Sequence, residues 1–106
     1  MPKAFGLDFG TTNSAVACAS ENEVETTAVH RSVLYFEPKV PAATGNDAID
    51  QYLAADEKGR LMQSLKSFLA SRLFTGTNVY GRQYSIEGLL TIFLRDLRKI
   101  AEQKFG

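Results

Sequence analysis

Alternation of bulky apolar residues with small ones predicts a β-strand at the start of the chain. Over residues 4–9 the apolar side chains are Phe5, Leu7 and Phe9, and the intervening positions are small except for one acid, Asp8. This two-residue period is typical of a pleated strand. One face is therefore bulky and apolar, while the other is small and carries a single carboxylate.

Further strands follow in the first third of the chain. Residues 14–19 and the β-branched stretch 24–29 predict two more strands. Short turns join the three, so we expect a three-stranded antiparallel meander. The apolar run 33–36 is stopped by Pro38 and Pro41, and we expect it to form a short edge strand.

Beyond Gly45 the apolar residues recur at helical spacing. A first helix is expected from Asn46 or Asp47 to about Ala55, with Ile49 and Leu53 facing inward. Gly59 ends it, and a second helix is expected over residues 60–71. The apolar side of that second helix would be Leu61, Leu65, Phe68 and Leu69.

The last element is the longest. Residues 76–81 predict a loop or short strand, and Ser85 is placed to cap a helix over residues 86–104. Strands followed by helices predict a chain whose local pattern is α+β. The apolar face of this helix is predicted to be Ile86, Leu89, Leu90, Phe93, Leu97, Ile100 and Ala101.

The turn after the first strand carries the candidate chemistry. Gly10 allows a tight turn, and Thr11, Thr12 and Asn13 offer backbone N–H groups and short polar side chains that suit phosphate oxygens. Asp8 beside it could hold magnesium through water. The alternative is an ordinary hairpin in which Asp8 orders its own backbone.

Composition narrows the class of protein without choosing an activity. Twelve basic and twelve acidic residues cancel over 106 positions, so no global field recruits nucleic acid or an acidic membrane. A single cysteine, Cys18, lies in an apolar strand, and we expect a buried, unreactive thiol. His30 stands alone and is expected in a turn or at the surface. The start of the chain lacks a signal-peptide pattern, so we expect a cytoplasmic protein.

Residues 7–14 resemble the first phosphate motif of the seventy-kilodalton heat-shock chaperones, members of the actin, hexokinase and heat-shock ATPase superfamily. The resemblance implies an α/β fold, a partial ribonuclease-H-like, actin-like ATPase lobe that binds ATP or ADP with Mg²⁺. It also implies a chaperone-like role in the stress response. The nucleotide-binding residues implied are Asp8 (through Mg²⁺-bound water), Gly10, Thr11, Thr12 and Asn13, with Thr11 also in a catalytic role.

Lys66 is the second residue that the resemblance singles out. Taken alone, a helix lysine is usually solvated. The arrangement of residues 45–48 followed by 64–69 is similar to the family segment whose lysine reaches the γ-phosphate and the attacking water, which implies a catalytic role for Lys66. Residues 79–87 and the long helix resemble the strand, loop and helix that follow. Ser67 stands where the family usually has Arg, which points to a divergent bacterial chaperone-like member.

The resemblance also implies that residues 1–106 form only the N-terminal fragment of an ATPase domain. A second lobe would supply the other phosphate loop, so we expect negligible ATP hydrolysis by this chain. We also expect uncovered strand edges and an uncovered face of helix 86–104. These would favour a dimer or larger species, with domain swapping as one route. Client peptides and co-chaperones would be partners of the remaining parts.

Two other functions stay open. A sugar or acetate kinase of the same superfamily also opens with an Asp-x-Gly-Thr turn, although such kinases usually lack the later lysine. A non-enzymatic actin-like interaction module, assembling through the long helix, is a third possibility. Several hundred further residues with a second phosphate loop would exclude that stand-alone module.

Overall fold

The computed structural model describes residues 4–70 and 76–106, with side chains for 4–68 and 76–106. They form a mixed α/β chain with antiparallel sheets and a C-terminal helix. In chain order the elements are β1 (Ala4–Phe9), β2 (Asn13–Ala19), β3 (Val24–Thr26), β4 (His30–Arg31), β5 (Leu34–Glu37), β6 (Val40–Thr44), α1 (Gly45–Ala54), β7 (Arg60–Met62), α2 (Leu65–Ala70), β8 (Gly76–Val79), β9 (Arg82–Ser85) and α3 (Ile86–Phe105).

The first sheet confirms the predicted antiparallel meander. β2 lies between β1 and β3, and the two-residue strand β4 also pairs with β2. β1 and β2 are in regular register from Ala4 opposite Ala19 to Phe9 opposite Ser14. The thiol of Cys18 in β2 is free and buried, as expected.

The second sheet places β5 in the centre, between β6 and β7. The prediction of an edge strand at residues 33–36 is therefore wrong. Pro38 lies in the turn after β5, and Pro41 lies in β6, which is itself at the edge of the sheet. The prolines mark the neighbouring turn and edge strand, and the register of β5 with β6 shifts between Tyr35 and Glu37, beside Pro41.

The predicted helix over residues 60–71 is also wrong over its first half. Residues 60–62 form β7, and α2 begins only at Leu65. Ser64, just before α2, has a φ of 54°, a left-handed conformation that interrupts a helix. Leu61 lies in β7 and Leu65 lies in α2, so the four-residue spacing between them does not reflect a single helix. Residue 71 lies outside the described residues.

The C-terminal part is a hairpin followed by α3. β8 and β9 are joined by a two-residue turn, Tyr80 and Gly81, whose φ angles are 50° and 82°. Positive φ at both positions is typical of the type I′ turn, which matches the twist of the two strands. The side chain of Ser85 accepts a hydrogen bond from the N–H of Gly88, confirming the predicted cap.

Two hydrophobic clusters hold the sheets and helices together. The larger one joins β5 and β7 to α2 and α3; its buried members are Leu34, Phe36, Met62, Leu65, Val79, Leu89, Phe93 and Leu97. In the smaller one Tyr35 and Ala48 join β5 to α1, with Ile49 and Tyr52 at its margin. Leu53, predicted to face inward, is instead 59% exposed, because α1 turns Ala48 and Tyr52 toward the sheet.

No helix within the described parts of the chain is both long and apolar enough to cross a membrane.

Candidate phosphate-binding turn

The turn between β1 and β2 is held closed by hydrogen bonds of its own backbone and of Ser32. The N–H of Gly10 donates to the carbonyl of Asn13 over 2.9 Å. A Cβ added to Gly10 would lie 2.5 Å from that same carbonyl oxygen, so the turn requires glycine at this position. The close approach that Gly10 permits is therefore to Asn13, within the turn itself.

Ser32 ties the turn to the start of β5. Its hydroxyl donates to the carbonyl of Gly10 over 2.9 Å, and its N–H donates to the carbonyl of Thr12 over 2.9 Å. Ser32 is fully buried, and its hydroxyl also lies 2.8 Å from that of the buried Ser14. Sequence reasoning missed this serine, because it lies twenty residues after the turn in a stretch with no motif. Only the pairing of β4 with β2 brings it there.

The outward side of the turn remains open. Thr11, Thr12 and Asn13 are exposed. Among the described residues, the N–H groups of Thr11 and Thr12 donate to no protein acceptor. Two free N–H groups beside two hydroxyls and an amide form a donor set suited to anionic oxygens. The arrangement combines a fixed backbone with unsatisfied donors.

Asp8 lies two residues before the turn, on the face of β1 opposite Leu7. It is exposed and sits across from Ala15 of β2. Within residues 4–70 and 76–106 no group of three or more His, Cys, Asp or Glu residues could hold a metal ion. A lone carboxylate fits Mg²⁺ only where phosphate and water supply the other ligands, which is the common situation for that ion. Asp8 could therefore contact magnesium only through water or beside phosphate oxygens that supply the other ligands.

Lys66 is exposed near the start of α2. Its neighbour Leu65 is fully buried in the larger cluster, and Phe9, which precedes the turn, packs on that cluster with its ring 5.7 Å from the ring of Phe93. Phe9 of β1 and Leu65 of α2 thus pack on the same cluster. In the described part of the chain no hydrogen bond or ion pair joins Lys66 to Asp8 or to the turn.

His30 departs from the expectation of a surface or turn residue. It is half-buried in β4, with its ring 5.5 Å from the ring of Phe93. Its Nε2 lies 2.7 Å from the hydroxyl of Thr44, which itself donates to Asp96 over 2.8 Å. Since that hydroxyl proton is used, His30 must donate from Nε2. Burial lowers the pKa of His30 below 6.5, against the opposing effects of Asp96 and Asp47.

No protein-family model matches this chain, and no curated protein is significantly similar to it in sequence.

Proposed function

We propose that this chain supplies the first phosphate loop of a heat-shock-type ATPase domain, within an actin-like lobe. The observation that carries the proposal is the turn from Gly10 to Asn13. Its backbone is hydrogen-bonded to the buried Ser32, and the side chains of residues 11–13 are exposed to solvent. A loop whose backbone is already ordered loses little entropy when it binds a ligand. Its free N–H groups then contribute directly to affinity for phosphate oxygens.

Each residue has a distinct role in this proposal. The N–H groups and hydroxyls of Thr11 and Thr12 bind the phosphate oxygens, with Asn13 beside them. Asp8 orients waters on the magnesium that accompanies the nucleotide. Lys66 neutralises negative charge on the transferring phosphoryl group once the nucleotide is clamped. Thr11 belongs to both the binding and the catalytic set. We further propose that the parent protein is a complete ATPase with chaperone-like activity, and that its other parts bind client peptides or co-chaperones.

Binding is tested by adding magnesium-ATP to the chain and following its backbone amides by NMR, with calorimetry for the affinity. We expect saturable shifts at Thr11, Thr12 and Asn13, and inorganic tripolyphosphate should compete. Asp8→Ala should weaken binding in the presence of magnesium and leave metal-free binding nearly unchanged. Asp50→Ala removes another exposed carboxylate, from α1, and serves as the matched control.

Three outcomes would contradict the binding proposal. One is the absence of any saturable shift at the turn, and another is shifts confined to other regions of the chain. The third is an equal loss of affinity in the Asp8→Ala and Asp50→Ala variants, which would indicate a nonspecific charge effect.

Hydrolysis is expected to be negligible in this chain, because proximity of all catalytic groups supplies most of the rate. A phosphate-release assay with Lys66→Ala, and with Lys99→Ala as an exposed-lysine control, tests this expectation. Robust turnover that disappears only in Lys66→Ala would show that the chain needs no second lobe.

A further inference from the structure

One edge of β1 is open in the part of the chain that the structure describes. Among the described residues β1 is hydrogen-bonded on one side only, to β2. Because Gly10 donates to Asn13, the alternation of an antiparallel ladder directs the backbone groups of Gly6 and Asp8 toward β2 as well. The N–H and C=O groups of the residues between, Phe5 and Leu7, point to the open edge, as do those of Phe9.

The bonds of Val16 support this assignment independently. Val16 lies opposite Leu7 in the β1–β2 ladder. Its carbonyl accepts from the N–H of Thr27, and its own N–H donates to the hydroxyl of Thr27. Val16 therefore directs both backbone groups away from β1. Leu7, its partner in the same non-hydrogen-bonded pair, must direct its own groups away from β2.

The side chains at this edge are also uncovered. Phe5 is 60% exposed and Leu7 is 54% exposed. With Leu94 and Phe105 of α3 they line an apolar groove of about 390 Å³. Of the usual protections of an edge strand, β1 has no lysine, no proline and no bulge, and its one charged residue is Asp8.

We propose that β1 pairs with β1 of a second copy of this chain, antiparallel, about a two-fold axis at Leu7. A second extended strand can replace the water on such a row of N–H and C=O groups with main-chain hydrogen bonds along its whole length. An axis at Leu7 sets Leu7 against the partner's Leu7 and Phe5 against the partner's Phe9. All three residues whose backbone groups face the edge are then paired, and the two grooves lie on the same face of one continuous sheet.

Charge is compatible with this register. Asp8 would lie opposite the partner's Gly6, so the two carboxylates do not face each other across the pair. The formal net charge of the chain is zero, so no long-range repulsion opposes association. A short edge with two half-exposed apolar side chains buries less than the roughly 800 Å² per partner of a standard interface. We therefore expect a dimer that dissociates on dilution.

Cross-linking tests the register directly. Cα atoms of a hydrogen-bonded antiparallel pair are about 5.5 Å apart, within the range of a disulfide. In a Cys18→Ala background, Leu7→Cys should form an intermolecular disulfide with oxidised glutathione. Asp8→Cys, directed to the other face and offset by two residues from its copy, and Leu53→Cys, on α1, should not. Equal cross-linking of all three variants, or none at Leu7→Cys, would overturn the proposed register.

Sedimentation velocity over a wide concentration range tests the strand pairing without cross-linking. Wild type should shift from monomer to dimer, and Leu7→Lys should stay monomeric. Leu53→Lys, a change at another residue of similar exposure, should still dimerise. Leu7→Pro removes an N–H that faces the open edge, takes no hydrogen bond from the β1–β2 pair, and should also abolish the dimer. Circular dichroism checks that each variant is folded.

Four outcomes would overturn the proposal: a monomeric wild type at all concentrations, open-ended polymers, a dimer that survives in Leu7→Pro, and loss of the dimer in Leu53→Lys. Survival in Leu7→Pro together with loss in Leu7→Lys would show association through the apolar face without strand pairing. None of these results depends on nucleotide binding, so this proposal and the phosphate-loop proposal fail separately.

Discussion

β1 and β5 are both strands of largely apolar residues, yet they have opposite environments. In β1 every residue from Ala4 to Asp8 is exposed. In β5 Leu34, Tyr35 and Phe36 are at most 5% exposed. β5 has a strand on each side, and its alternate residues enter different clusters, Leu34 and Phe36 toward α3 and Tyr35 toward α1.

The comparison shows that the burial of these two strands depends more on how many strands and helices pack against each than on its apolar content. β1 has one strand neighbour among the described residues, and its bulky face is only partly covered by α3. The two strands meet through the turn, because Ser32 lies just before β5 and holds the end of β1. The buried region therefore orders the exposed one.

The largest expected difference between β5 and β1 is in the loss of stability when a leucine is shortened to alanine. Leu34→Ala should lower the free energy of unfolding by about 2–5 kcal/mol, since it leaves a cavity in the buried cluster. Leu7→Ala should change the free energy by about 0.5 kcal/mol or less in the monomer, as for other exposed sites. Urea unfolding at low protein concentration measures both. Similar losses in the two variants would refute the contrast between the strands.

Glycine substitutions separate the turn from the strand before it. Gly10→Ala brings a methyl group against the carbonyl of Asn13 and should cost about 1–3 kcal/mol, as overpacking does. Gly6→Ala meets no atom within 4 Å and should be neutral or slightly stabilising. Thermal unfolding compares the pair. A stable Gly10→Ala variant would mean that the turn adopts another backbone conformation.

Removing the hydroxyl of Ser32 tests the link between the two regions. Ser32→Ala leaves Ser14 and the carbonyl of Gly10 without a buried partner and should cost about 1–3 kcal/mol. Amide exchange should rise at Gly10, whose N–H is hydrogen-bonded to the carbonyl of Asn13, more than in β5. Ser20→Ala, at an exposed position, is the control. Unchanged exchange in the turn would show that Ser32 does not order it.

The smallest expected effect is a pH dependence through His30. Its pKa is lower in the folded chain than in the unfolded one, so folding favours the neutral ring. This contribution to stability is fully present above about pH 6.5 and is lost as the pH falls through the folded pKa. Unfolding free energies between pH 7.5 and pH 5 should fall more steeply in wild type than in His30→Gln. Equal slopes would contradict the prediction.

The sequence predicted those elements whose signals are local. The meander of β1 to β3 follows from alternation, and the start of α3 follows from the Ser85 cap. Elements set by distant contacts were predicted less well. The central position of β5 depends on β7, which lies more than twenty residues away and was hidden within an apparent helical pattern. The left-handed Ser64 that separates β7 from α2 has no sequence signal comparable to a glycine.

The same division applies to the candidate site. The turn at residues 10–13 was predicted because its residues are consecutive in the chain, and its phosphate-binding role stays a prediction. The support from Ser32 and the burial of His30 arise from the pairing of β4 with β2. Neither residue carries a distinctive local pattern. Lys66 lies on a helix, as predicted. That helix, α2, begins at Leu65, whereas the predicted one began at residue 60.

α3 has a consequence for how this protein can change in length. Its three buried residues, Leu89, Phe93 and Leu97, recur every four positions and contact the same cluster. An insertion of one residue after Phe93 would rotate everything beyond it by about 100° and carry Leu97 off the sheets. The helix can therefore change in length by about a whole turn at a time, while a single insertion in its middle would separate one half of the helix from the common core.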